Sequence, residues 1–231
     1  MTEPVVICRG VSRTYQQESV PVHALRQVDF TVYPGEFVSL SGPSGSGKST
    51  LLNIVGGLDR PDEGTVSVDG IDLGELSESK LAEIRLHKLG FVFQAYNLIP
   101  VFSALENVEF IMQLQGVPSA ERLERATAVL DRLGLADMLH RRPGELSGGQ
   151  QQRVAVARAI VSEPVLLLAD EPSANLDSKT TKELLDLLRQ LNEEGMTIVT
   201  ATHDSMVMSY AQRQVHLRDG QIEHDDQVQT A

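Results

Sequence analysis

Cysteine occurs once, tryptophan not at all, and aromatic residues make up only 4% of the 231-residue chain. A single thiol excludes an intrachain disulfide and a cysteine-rich metal site. That thiol, Cys8, stands in the apolar stretch Val5, Val6, Ile7, Cys8 and is expected to be a small buried residue. So few aromatics offer little material for a surface that stacks on bases. Positive charge is also short: 20 Lys and Arg against 32 Asp and Glu leave a formal net charge of −12. Such a balance opposes attachment to a phosphate backbone, so nucleic acid is not an expected partner. No apolar run approaches the roughly 18 residues of a membrane helix, and the N-terminus lacks the basic start and apolar stretch of a secretory signal. The expectation is a cytoplasmic protein whose membrane role, if it has one, comes through a partner.

What is present suffices for one substantial domain: 231 residues, 41% of them hydrophobic, can bury a full core. Strands are expected at residues 5–8, 28–32, 37–40 and 65–68, the last followed by the turn pair Asp69-Gly70. Residues 121–133 place Leu123, Ala126, Leu130 and Leu133 on one helical face. A helix is expected over 151–161 and a Leu-rich one over 180–191. Residues 165–169 form an apolar run suited to a strand buried on both faces. A β-branched strand follows at 197–200. Asp219-Gly220 then marks a two-residue hairpin between 214–217 and 221–223. The pattern predicts a parallel α/β core with early added strands and a helical insertion in the middle.

The sequence Gly42-Pro43-Ser44-Gly45-Ser46-Gly47-Lys48-Ser49-Thr50 fits G-x-x-x-x-G-K-[ST] and stands between an expected strand and a helix. Glycines let successive backbone N–H groups turn inward onto phosphate oxygens, and the helix start adds its positive dipole end. Lys48 then reaches the β- and γ-phosphates, and the Ser49 hydroxyl is placed for Mg²⁺. The strand at 165–169 runs directly into Asp170-Glu171. Beside a phosphate loop, Asp170 can hold the metal and Glu171 can orient and deprotonate an attacking water. Without that loop, the two carboxylates would read as a solvated pair at a strand end.

Between these elements stands Leu146-Ser147-Gly148-Gly149-Gln150, ahead of the helix at 151–161. Here the chain resembles the ABC ATPase family, whose signature is LSGGQ, and the resemblance covers almost the whole chain. It implies the ABC ATPase fold: a RecA-like P-loop core with an antiparallel β subdomain (residues 1–94 and 161–231) and an inserted α-helical subdomain (95–160). It also implies roles for single residues. Tyr15, by itself a packed aromatic, matches the residue that stacks on adenine. Gln94 matches the glutamine that links Mg²⁺ and water to the membrane subunit. Ser173-Ala174-Asn175-Leu176-Asp177 matches the D-loop, and His203 the histidine that senses the γ-phosphate. Ser147 is an expected N-cap and so opens a second anion site. One chain needs only one γ-phosphate cradle. In the family, two chains pack head to tail, and this loop closes over the ATP of the other copy.

Within the family, three segments resemble the branch serving lipoprotein release, macrolide export and cell-division mechanotransmission. They are Val20-Pro21-Val22-His23-Ala24-Leu25, Asn97-Leu98-Ile99-Pro100 with Ala104-Leu105-Glu106-Asn107-Val108, and Leu168-Ala169-Asp170-Glu171-Pro172. The implied function is an ATP-hydrolysing subunit that uses ATP and Mg²⁺, forms a homodimer and drives a separate integral membrane permease. Two other classes compete with it. A soluble ABC protein acting on nucleic acid or ribosomes generally carries two cassettes, coiled-coil insertions or zinc modules, and it meets an unfavourable charge here. A P-loop kinase for a small molecule would have no use for residues 146–150.

Overall fold

The structure is a computed structural model that describes residues 3–17 and 20–228. Strand β1 (Val6–Gln17) and strand β2 (Val20–Val32) form a long antiparallel hairpin. Both run well past the expected 5–8 and 28–32. The extra length is bulged: the register shifts between Cys8 and Val11 and again near Arg13, with Gly10 and Gln27 at positive φ. Bulges break the period-two pattern on which strand assignment from sequence depends. β4 (Glu63–Val68) pairs with β1, and the short β5 (Ile71–Asp72) completes a four-stranded antiparallel sheet in the order β2-β1-β4-β5.

The second sheet holds β3 (Phe37–Ser41), β6 (Leu89–Phe93), β7 (Leu166–Asp170), β8 (Ile198–Ala201), β9 (Arg213–Arg218) and β10 (Gln221–Gln227). Its order is β10-β9-β3-β8-β7-β6, parallel throughout except for the β9/β10 hairpin. Asp219 and Gly220 turn that hairpin, both at positive φ, as a type I′ turn requires. The unbroken apolar run of β7 has a direct cause. Leu166 and Leu168 join the core beneath the antiparallel sheet, while Leu167 and Ala169 join the core on the helical side. A strand covered on both faces has no polar side to alternate with.

Among the described residues, seven α-helices surround the sheet: α1 (Lys48–Val55), α2 (Glu78–Lys88), α3 (Ala104–Leu114), α4 (Ser119–Arg132), α5 (Gly148–Ile160), α6 (Ser178–Glu193) and α7 (Ser205–Tyr210). Helix α2 lies outside the expected elements. It buries only Leu81 and Ile84, too narrow a stripe to stand out in sequence. α3, α4 and α5 share one core with β6 and β7, filled by Val108, Met112, Leu130, Val154 and Val156. Among the described residues, no helix is long and apolar enough to cross a membrane.

Candidate functional site

The loop after β3 must pass between two strands to reach α1. At Gly42 (φ 137) a Cβ would come within 2.1 Å of the Leu217 carbonyl, and at Gly47 (φ 103) within 2.4 Å of the Ala24 carbonyl. Only glycine tolerates both the approach and the left-handed backbone. Gly47 is also the N-cap of α1 and brings no capping side chain. The first-turn N–H groups therefore stay available to an anion. Lys48 is buried, and its Nζ donates to the Gly42 and Pro43 carbonyls at 2.8 and 3.0 Å.

Across from this loop, β7 delivers Asp170. The Ser49 hydroxyl donates to Asp170 Oδ1 at 3.0 Å. Burial, with Glu171 beside it, pushes the Asp170 carboxyl above its usual range, and the Ser49 bond opposes that rise. A cation would relieve this destabilisation. The oxygen set of Ser49, Asp170 and Gln94 suits a hard metal that takes most of its ligands from phosphate and water. Among the described residues, no group of three or more His, Cys, Asp or Glu is placed to hold a metal ion.

Glu171 stands at φ 46, a left-handed backbone in a residue other than glycine. Its N–H donates to the Ala201 carbonyl at 2.9 Å. One carboxylate oxygen lies 2.7 Å from His203 Nδ1, and the other accepts from the Thr202 hydroxyl at 3.3 Å. Three groups at the end of β8 thus hold Glu171 at the sheet's rim, one through its backbone N–H and two through its carboxylate. Thr202 escaped the sequence reading. Its only signal was its place beside His203.

Tyr15, residues 43–50, Gln94, Glu171 and His203 line one cleft of about 730 Å³. Asp170 joins it through Ser49. Of the expected site residues, Ser44, Gly45, Ser46, Gly47, Lys48, Ser49 and Thr50 all fall here. Val22, Ala24 and Ala174 line it as well; of these only Ala174, inside the D-loop match, had a sequence position that pointed to a site.

Ser147, Gly148, Gly149, Gln150 and Asp177 do not line this cleft. Ser147 caps α5: its Oγ accepts from the Gln150 N–H, and Gln150 Oε1 accepts from the Ser147 N–H at 2.8 Å. A Cβ at Gly149 would lie 2.2 Å from Thr180 Cγ2 on α6, so this glycine also lets two helices pack. Asp177 caps α6 and accepts from the Lys179 and Thr180 N–H groups at 3.0 Å and from the Thr180 hydroxyl at 2.8 Å. Those bonds, the Thr180 N–H first, hold its carboxyl below the usual range. The phosphate cleft therefore stands apart from the capped starts of α5 and α6, where Ser147 and Asp177 are both exposed.

The family model described as "ABC transporter" matches residues 25–174. The chain belongs to the ABC transporter family. Over 92% of its length the cassette is 52% identical to an uncharacterised ABC transporter ATP-binding protein of Thermotoga maritima, covering 91% of that protein. An uncharacterised ABC transporter ATP-binding protein of Methanocaldococcus jannaschii is 46% identical, with 95% of the cassette and 96% of the relative covered. A macrolide export ATP-binding/permease protein, MacB of Nitrobacter winogradskyi, is 47% identical over 97% of the cassette, which spans 35% of that longer protein. Among solved structures, the dimeric post-hydrolysis state of an ATP-binding cassette bound to ADP and Pi superposes with a TM-score of 0.90. It is 44% identical, with 97% of this chain and 99% of that one covered.

Proposed function

We propose that the chain is the ATP-hydrolysing subunit of an ABC transporter, working as a head-to-tail homodimer on a separate membrane permease at the cytoplasmic face. The observation that carries this reading is the half-site: a complete phosphate cleft in one place, and the Ser147 helix start outside it. A second copy completes the site by bringing Ser147, Gly148, Gly149 and Gln150 over the γ-phosphate, with Asp177 near the same seam. The solved relative is a dimer with ADP and Pi, and the MacB relative is described as an ATP-binding/permease protein.

In this reading the amides of the 42–50 loop and Lys48 hold the phosphates. Ser49, Asp170 and Gln94 would hold Mg²⁺, which would supply charge neutralisation at the phosphate oxygens. Glu171 takes the proton of the attacking water, with its carboxylate aimed by Thr202 and His203. The other ring nitrogen of His203 is left for the γ-phosphate. Residues 95–160 form the moving helical portion. ATP joins the two copies, and hydrolysis lets them part.

The permease contact fits an apolar groove of about 680 Å³ lined by Leu86, Phe91, Phe110, Leu114 and two arginines, Arg85 and Arg158. Arg85 donates to the Gly57 carbonyl, and Arg158 to the Tyr96 and Asn97 carbonyls. Neither forms an ion pair with a carboxylate among the described residues. In a chain of net charge −12, such cations beside apolar side chains suit a permease segment with an apolar face and a carboxylate. The test is to tag the Glu171→Gln chain and solubilise the source membranes gently with MgATP. A co-purifying membrane protein is the expected result. Ribosomes or nucleic acid instead would move the function to the soluble class.

A further inference from the structure

The aromatic at the edge of the cleft is not a free side chain. Tyr15 lines the cleft together with the phosphate loop, but Arg13, Asp59 and Asp62 do not. Arg13 lies behind it, with the guanidinium carbon 4.9 Å from the Tyr15 ring centroid. The guanidinium is itself fixed: it meets Asp59 Oδ1 at 2.8 Å, Asp59 Oδ2 at 3.1 Å and Asp62 Oδ1 at 2.7 Å. Asp59 also accepts the Tyr15 hydroxyl at 2.6 Å, and Asp62 accepts the Thr14 N–H at 2.7 Å. Burial and Asp59 push the Tyr15 phenol above its ordinary value, so it stays protonated and donating. Asp59 and Asp62 stand on the loop after α1, the helix that opens with Lys48. The ring is thereby held by the same piece of chain that carries the phosphate site.

We propose that Arg13 and Asp59 are positioning residues for the nucleobase, fixing Tyr15 as a rigid platform before the nucleotide arrives. This rests on the reading of Tyr15 as the base-stacking residue. The consequence is a three-layer stack of guanidinium, phenol ring and base. The cation lies over the Tyr15 ring, and Arg13 does not itself line the cleft, which leaves the ring to the base. Asp59 stops rotation of the ring, so little freedom is lost when the base lands. An ion pair that only stapled β1 to the loop would also hold Arg13 and the two aspartates together. It would not distinguish ligands with a base from ligands without one.

That difference is the test. Binding of ADP and of inorganic pyrophosphate is measured by calorimetry on the intact chain, since neither ligand turns over. Arg13→Gln is expected to weaken ADP about two- to tenfold, the cost of ordering one freed side chain at the moment of binding, and to leave pyrophosphate unchanged. Arg13→Lys keeps the cation and should lose less. Asp59→Ala should repeat the ADP-selective loss. Equal weakening of both ligands, or no change in either, overturns the proposal. The Tyr15→Ala control separates the two levels. If it weakens ADP alone while Arg13→Gln does not, the positioning role fails and the platform stands. If it weakens neither or both, the platform reading fails and the positioning role with it.

Discussion

Gly149 offers the sharpest test, because the sequence suggests one reason for the glycine and the packing suggests another. A Cβ there would lie 2.2 Å from Thr180 Cγ2, about 1.5 Å inside normal carbon–carbon contact. Thr180 cannot simply turn away. It is β-branched on a helix, and its hydroxyl is held by Asp177 Oδ2 at 2.8 Å. Overpacking of this kind costs about 1–3 kcal/mol, and the better helix propensity of alanine returns up to about 1 kcal/mol. Gly149→Ala should therefore lose about 1–2 kcal/mol. For a domain of this size that is a fall in Tm of about 2–8 °C. Thr180→Ser removes the clashing methyl and keeps the hydroxyl for Asp177. Alone it should cost a few tenths of a kcal/mol, and combined with Gly149→Ala it should restore most of the lost stability. The assay is a double-mutant cycle by calorimetric or denaturant unfolding. If the double variant is no more stable than the sum of the single changes allows, the α5–α6 contact is not what requires glycine. ATP turnover should recover with stability, since the backbone N–H at 149 survives the substitution. Turnover that stays low in a restabilised protein would mean that the space itself is needed by the other copy's nucleotide.

Mixing Ser147→Arg chains with Lys48→Ala chains should leave one intact composite site per heterodimer, seen as an ATP-trapped heterodimer in the Glu171→Gln background. Its absence on gel filtration would count against completion of the site by a second copy. Arg158→Met removes the donor that holds the carbonyls of Tyr96 (φ 58) and Asn97 (φ 51), two left-handed residues just after Gln94. Turnover should fall several-fold while ADP affinity stays, and an unchanged kcat would show that the Gln94 loop holds itself. Cys8 is buried, and its thiol is pushed up to about 12, chiefly by desolvation. A raised thiol pKa leaves almost no thiolate at pH 8, so a colorimetric disulfide reagent should titrate it only after denaturant is added. Rapid labelling of the native protein would contradict the burial.

The chemistry was legible in the sequence wherever it is local. The 42–50 loop, the Asp170-Glu171 strand end, the Ser147 cap and the Asp219-Gly220 turn each follow from neighbouring residue types and backbone geometry. The apolar run ending in Asp170 suits a strand covered on both faces, where four residues in succession are buried because neither face meets water. Other elements carried no such pattern. The outer half of the β1–β2 hairpin is bulged and polar, and α2 buries too little to show a stripe. Only the tertiary structure could bring Thr202 and His203 onto Glu171, Asp59 onto Tyr15, and Thr180 against Gly149. Those partners lie 31, 32, 44 and 31 positions apart in the chain. Sequence patterns report the periodicity of one segment against a core. Which side chain meets which across segments depends on how the two sheets and the helices pack, and that is settled only when the whole chain has folded.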